Sequence, residues 1–236
     1  MVKRIIPGAG KILVFLFLSF FLSVSISGCG GVFKHKKIEA NAPGLKDRIN
    51  KSLANLYPDK FKAVQHVILK LFGKTYVLNG YLKIDRPAGE IALIAQNDPG
   101  GTIFDLSYVE GKKKEINVKL KTLKKEWLEK SALEDLKNLY FNAPLSAPGL
   151  FKDDSGDLIL SKTENDKTRE YVFNAADKTG NRPRLKEIRY FSKKKLARVI
   201  MFQDYLTLKE YSCPKFILIK NYRMRYSLEI SVQYII

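Results

Sequence analysis

Two periods alternate along the chain. Leu45, Ile49, Leu53 and Leu56 recur every third or fourth residue, with Lys46, Asp47, Arg48 and Lys51 between them. That spacing predicts an amphipathic helix, and Pro58 stands just beyond its end. From His66 the period drops to two. Strands are predicted over residues 66–72 and 75–84, around Gly73-Lys74 as a two-residue turn, then over 90–95 and 102–108, with turn residues clustered at 85–89 and 97–101. A fifth strand sets Lys114, Ile116, Val118 and Leu120 against Lys113, Glu115, Asn117 and Lys119. The helical period then returns: Leu123, Trp127 and Leu128 share a face. Ser131-Ala132-Leu133-Glu134 reads as a capping box opening a helix that buries Leu133, Leu136, Leu139 and Tyr140. After a loop over 142–156, strands are predicted at 157–162, 168–175, 185–192, 196–205, 216–221 and 223–234.

No repeat and no charge-rich linker divides this run, so residues 45–236 read as one domain. It is α+β and mainly β, with about eleven antiparallel strands and two or three helices. Of 236 residues, 45% are hydrophobic and 28% charged, which excludes a wholly disordered or collagen-like chain. Two Cys exclude a disulfide scaffold, and two His leave no Cys/His zinc site. A catalytic base is poorly supplied. His35 lies outside the domain and His66 falls in a strand, so no catalytic residue is assigned and the chain reads as a binding protein, not an enzyme. Asp153, Asp154 and Asp157 around Gly156 read as a solvated acidic turn. Their spacing does not match a calcium loop, so no metal is assigned. Cys213, before Pro214, reads as structural.

The first thirty residues change the picture. Lys3, Arg4 and Lys11 precede an apolar run over 12–26, which is short of the ~20 residues that span a bilayer comfortably. Ile26-Ser27-Gly28-Cys29 follows, the pattern of a bacterial lipobox. Small side chains let the extended segment enter a peptidase, and the Cys29 thiol carries a thioether-linked diacylglycerol. The expectation is a lipoprotein signal peptide over 1–28, cleavage between Gly28 and Cys29, and a lipid-anchored tether over 29–44. Cofactors are none beyond the covalent diacylglycerol and acyl chain on Cys29. Gly30 stands where Asp would retain an enteric lipoprotein in the inner membrane, which favours the outer membrane, facing the periplasm. The net charge of +18 becomes +15 when the signal, with three cations and no acid, is removed. In the envelope such a charge faces anionic membrane lipid rather than nucleic acid.

The order helix, strands, mid-chain helix, strands resembles the LolA/LolB superfamily of lipoprotein carriers and receptors, and within it the LolB-like outer-membrane lipoproteins. The resemblance is carried by Ile91-Ala92-Leu93-Ile94 leading to Gly101-Thr102-Ile103-Phe104-Asp105-Leu106-Ser107-Tyr108, by the helix over 132–141, and by Pro214-Lys215-Phe216-Ile217-Leu218-Ile219 with Tyr226-Ser227-Leu228-Glu229-Ile230. It spans roughly residues 45–235. It implies an unclosed antiparallel half-barrel, capped by helices around an apolar cavity for acyl chains. Leu78, Leu82, Leu93, Phe104, Leu106, Tyr108 and Trp127 are the expected lining. The implied function is binding of lipid or lipoprotein acyl chains in trafficking to the outer membrane. The alternative is a scaffold lipoprotein that serves an envelope protein complex without a ligand. One departure stands out: the loop that carries an exposed apolar residue in LolB-like receptors corresponds to 96–101, which holds no large apolar side chain.

Overall fold

Alternation in burial builds a single sheet. In a computed structural model the described residues are 36–37, 44–112, 114–120, 123–141, 145, 148–174 and 183–236. The expected signal peptide, Gly28, Cys29 and most of the tether lie outside them. Thirteen strands occur among the described residues: β1 (Lys36–Lys37), β2 (Lys60–Leu71), β3 (Lys74–Asp85), β4 (Glu90–Gln96), β5 (Thr102–Val109), β6 (Glu115–Val118), β7 (Gly149–Lys152), β8 (Leu158–Glu164), β9 (Lys167–Phe173), β10 (Leu185–Ser192), β11 (Lys195–Leu208), β12 (Tyr211–Asn221) and β13 (Tyr226–Ile235). Their order is β1-β7-β8-β9-β10-β11-β12-β13-β2-β3-β4-β5-β6, antiparallel throughout. The last strand pairs with the first long one, so two meanders are joined in the middle of the sheet. β6 and β1 remain its two edges, and the sheet is open.

Helix α1 (Leu45–Ala54) buries Leu45, Ile49 and Leu53. The helical run α2 (residues 125–140) has three parts, Lys125–Trp127, a π-helical segment Leu128–Ala132, and Leu133–Tyr140. Both helices and the inner sheet face share one core. Tyr57, after α1, meets Phe61 on β2 and Tyr140 on α2 with ring centroids 5.5 and 5.0 Å away, which pins the far end of α2 to the sheet.

Several local expectations are corrected. Ser131 does not cap a helix: it lies inside α2, buried, with no partner for its hydroxyl. The extra residue of the π segment turns Trp127 and Leu128 onto the same side as Leu133 and Leu136, so the two predicted helical stretches run on as one. The first hairpin turns at Phe72-Gly73, one residue earlier than predicted, since Leu71 pairs with Lys74. Both turn residues have positive φ, 50° and 75°, the geometry that matches strand twist in a two-residue hairpin. β12 includes Ser212, Cys213 and Pro214, predicted as a connection. Pro214 lies beyond the last β12–β13 pair, Phe216 with Ser231, where that ladder asks no donor of its nitrogen. Finally, β7 forms within the predicted 142–156 loop, and Lys36–Lys37 of the expected tether pairs with it as an edge strand.

Candidate functional site

The inner face of the sheet and α2 enclose a space of about 60 Å³. Of the residues expected from the sequence, Leu78, Leu93 and Phe104 lie at this space from the sheet and Trp127 from the helix. Leu82, Leu106 and Tyr108 do not. Leu82 and Leu106 face inward but are packed in the core away from this space. Tyr108 is half-buried under Lys137, whose ammonium donates to its hydroxyl at 2.9 Å and sits 4.5 Å from the ring centre. Cavities that take whole small-molecule ligands run to ~300–1,000 Å³. With α2 in this position, the space therefore admits a short piece of a chain and not a full acyl group.

Sequence reasoning missed two polar residues at the same space, Gln65 and Asp135. Asp135 projects from α2 and is 1% exposed. Arg198 Nη1, from β11, donates to its Oδ1 at 2.6 Å, and the Tyr226 hydroxyl, from β13, donates to its Oδ2. Arg198 Nη2 also reaches Glu134 Oε1 at 3.2 Å, and the guanidinium lies 4.3 Å from the Tyr190 ring centre. Burial pushes the Asp135 carboxyl above its ordinary value, against the opposing pull of Arg198 and the Tyr226 hydroxyl. Trp127 packs edge-on against Tyr226, with centroids 5.1 Å apart. One polar cluster thus clasps α2 to β11 and β13, beside the Lys137–Tyr108 contact to β5, while Leu128, Leu136 and Leu139 bring apolar side chains to the enclosed space. The capping-box expectation hid this role: it drew on Glu134 and assigned nothing to Asp135, whose Arg partner is 63 residues away.

A second feature lies where several hairpins turn at the same end of the sheet. Phe72, at the β2–β3 tip, is 72% exposed, and Tyr222, at the β12–β13 tip, is 52% exposed. The two tips border one groove, flanked by Lys70, Lys220 and Arg225. The β10–β11 turn at this end is Lys193-Lys194, with φ of 50° and 63°. Positions of that kind usually carry Asn or Gly; here they carry Phe and Lys, as the β11–β12 turn carries Lys209 at the other end. Residues 97–100 turn at the same end and carry no large apolar side chain.

The remaining candidates are engaged internally. His66 Nδ1 lies 3.3 Å from Asn79 Oδ1 across the β2–β3 pair. Asp153 Oδ1 accepts from the Ser155 amide, the Ser155 hydroxyl and the Asp157 amide, and Asp157 pairs with Lys186 at 2.7 Å. Among the described residues no group of His, Cys, Asp or Glu is placed to hold a metal. Cys213 is buried and free, and burial pushes its thiol up to about 11.

No protein-family model matches the chain, and no curated protein is detectably similar to it in sequence. Solved structures do resemble it in shape. One is a protein domain described as outer-membrane lipoprotein-sorting, from Vibrio parahaemolyticus: 13% identical, TM-score 0.48, covering 81% of this chain and 91% of its own. Another is a LolA superfamily protein from Nitrosomonas europaea: 6% identical, TM-score 0.47, covering 81% and 92%. A third is a DUF1329 family protein from Desulfovibrio piger: 9% identical, TM-score 0.49, covering 81% and 91%. With identities this low and TM-scores below 0.5, these likenesses carry no functional inference.

Proposed function

We propose that this chain is a lipid-anchored envelope protein that takes a hydrophobic ligand, the acyl chains of a lipid or lipoprotein, between its concave sheet and α2, and serves lipid or lipoprotein trafficking to the outer membrane. The observation that carries the reading is the way α2 is held. Its inner side covers apolar sheet residues, and its polar fastening to β11 and β13 is concentrated in Asp135. A helix fastened in this way can lift and exchange one apolar cover for another. Release of the Asp135 clasp would widen the small space beneath it. Phe72 and Tyr222, with the lysines and arginines around them, suit the end that meets a membrane: aromatic rings enter the interface and cations stay among anionic headgroups.

Two measurements test this. Lipid extracted from the purified protein and identified by mass spectrometry should include acyl-chain species above a mock preparation. Replacing Cys29 with Ser should move the protein out of the membrane fraction and leave its precursor uncleaved by the lipoprotein peptidase. Absence of bound lipid, together with no quenching of Trp127 by brominated acyl chains, would overturn the carrier reading.

A second reading has its own observation. On the outer face, Tyr234, Val64, Tyr81 and Ile94 are cross-strand neighbours running over β13, β2, β3 and β4. Tyr234, Tyr81 and Ile94 are exposed. A row of that kind suits a protein partner, as a scaffold would need. Charge substitution at Tyr81 and Ile94 should disrupt such a complex and leave lipid content unchanged.

A further inference from the structure

Gln65 sits in the middle of β2 on the inner face, between Ala63 and Val67, and is 2% exposed. Its cross-strand partner is Gly80. A Cβ on Gly80 would stand 2.9 Å from Gln65 Cγ, so the glycine makes room for the amide to lie across the strand. Gln65 Oε1 has no hydrogen-bond partner. Across the same space stands Trp127, 7% exposed, whose Nε1–H also has none. One buried acceptor and one buried donor without partners therefore border a single space whose other lining, Asp135 apart, is apolar. Buried polar groups are seldom left unmet, because each then loses its hydration for nothing in return. The third polar residue at this space, Asp135, has both oxygens engaged by Arg198 and Tyr226, and its charge opposes an anionic ligand group.

We propose that the ligand of this site carries on its apolar chain a neutral group that both donates and accepts a hydrogen bond, a hydroxyl or an N–H amide. It donates to Gln65 Oε1 and accepts from Trp127 Nε1. This deepens the acyl-chain reading above and rests on it. A carboxylate lacks the donor and meets Asp135; an ester lacks the donor alone.

Trp127 is the only Trp in the chain, so its fluorescence reports this space. Full-length protein in a neutral detergent is titrated with three brominated stearoyl probes: the monoglyceride, the methyl ester and the free acid at pH 8. The monoglyceride should quench at roughly five- to tenfold lower concentration than the methyl ester, the worth of one neutral hydrogen bond, and the acid anion should be weakest. Gln65→Met, close to isosteric, should bring monoglyceride and ester together and leave ester quenching unchanged. Equal quenching by monoglyceride and ester in the native protein overturns the inference while the acyl-chain reading stands. So does a monoglyceride preference that survives Gln65→Met, since a buried water would then be meeting the pair. If no probe quenches, both readings fall. Should Gln65→Met fail to fold, the three-probe series on the native protein decides alone.

Discussion

Replacing Asp135 by Asn preserves the side chain's shape and removes its charge. Arg198, whose side chain is 9% exposed, then loses the carboxylate 2.6 Å from its Nη1. Breaking one half of a buried ion pair costs ~3–5 kcal/mol, chiefly because the other charge stays buried without compensation. Here the lower end applies. Glu134 still reaches Nη2 at 3.2 Å, but its side chain is 60% exposed and water screens it. The expected loss is therefore about 3 kcal/mol. The double variant Asp135→Leu with Arg198→Met removes both charges. It leaves the Tyr226 hydroxyl with only Asn221 Nδ2 at 3.3 Å, so about 1 kcal/mol should be lost for the unmet donor. The double variant should thus be more stable than Asp135→Asn. Urea denaturation read by Trp127 fluorescence measures both, because Trp127 lies on α2 against Tyr226. The same single variant should also show faster amide exchange in residues 125–140 than in β2 and β13. A cost below about 1 kcal/mol for Asp135→Asn, or a double variant no more stable than Asp135→Asn, would refute the clasp.

Phe72→Asp should leave stability within about 0.5 kcal/mol, because the side chain is mostly in solvent, yet lower the affinity of residues 45–236 for anionic vesicles by about tenfold. Residual binding should fall further as salt shortens the screening length from ~10 Å at 0.1 M to ~3 Å at 1 M, and a co-sedimentation series checks both. Leu106→Trp should destabilise by about 1–3 kcal/mol, since Leu106 is packed in solid core away from the enclosed space; tolerance of Trp there would mean an undetected cavity. Asp85 accepts from Lys60 and from the Ala88 amide, which hold its carboxyl below the ordinary 3.8. The stability advantage of native protein over Asp85→Asn should therefore be full above 3.8 and vanish as pH falls through the lowered value, as equilibrium unfolding between pH 2 and 7 would record.

What the sequence revealed and what it concealed follow from the range of the interactions. Alternation at Leu78, Leu82 and Ile84, or at Phe104 and Leu106, is a local signal, and it located β3 and β5 to within a residue or two. The Arg198–Asp135–Tyr226 clasp joins residues distant in sequence, with no spacing rule to betray it. β7 was concealed because its partners are β8 and a two-residue strand, leaving little pattern in four residues. An apolar side chain before Gly73 fits strand and turn alike, and only the Leu71–Lys74 pairing places Phe72 in the turn.

The start of β2 is the most informative miss. The alternation inward at Phe61, Ala63, Gln65, Val67 and Leu69 is complete in the structure, yet the sequence pattern predicts a strand only from His66. Gln65 is the reason: a polar residue at an inward position makes an alternating strand read as irregular. A folding sequence gains nothing from an amide there, since Leu or Met would fill the place without leaving an oxygen unmet. Gly80 opposite compounds the oddity, because a glycine within a strand interior is weakening on its own and is explained here only by the room it makes for that amide. Two positions that each weaken the fold support one another and border the same space as the chain's single Trp. Where pattern, propensity and packing all disagree with the residue present, packing cannot be what keeps it there, and a ligand-facing role for Gln65 accounts for both departures at once.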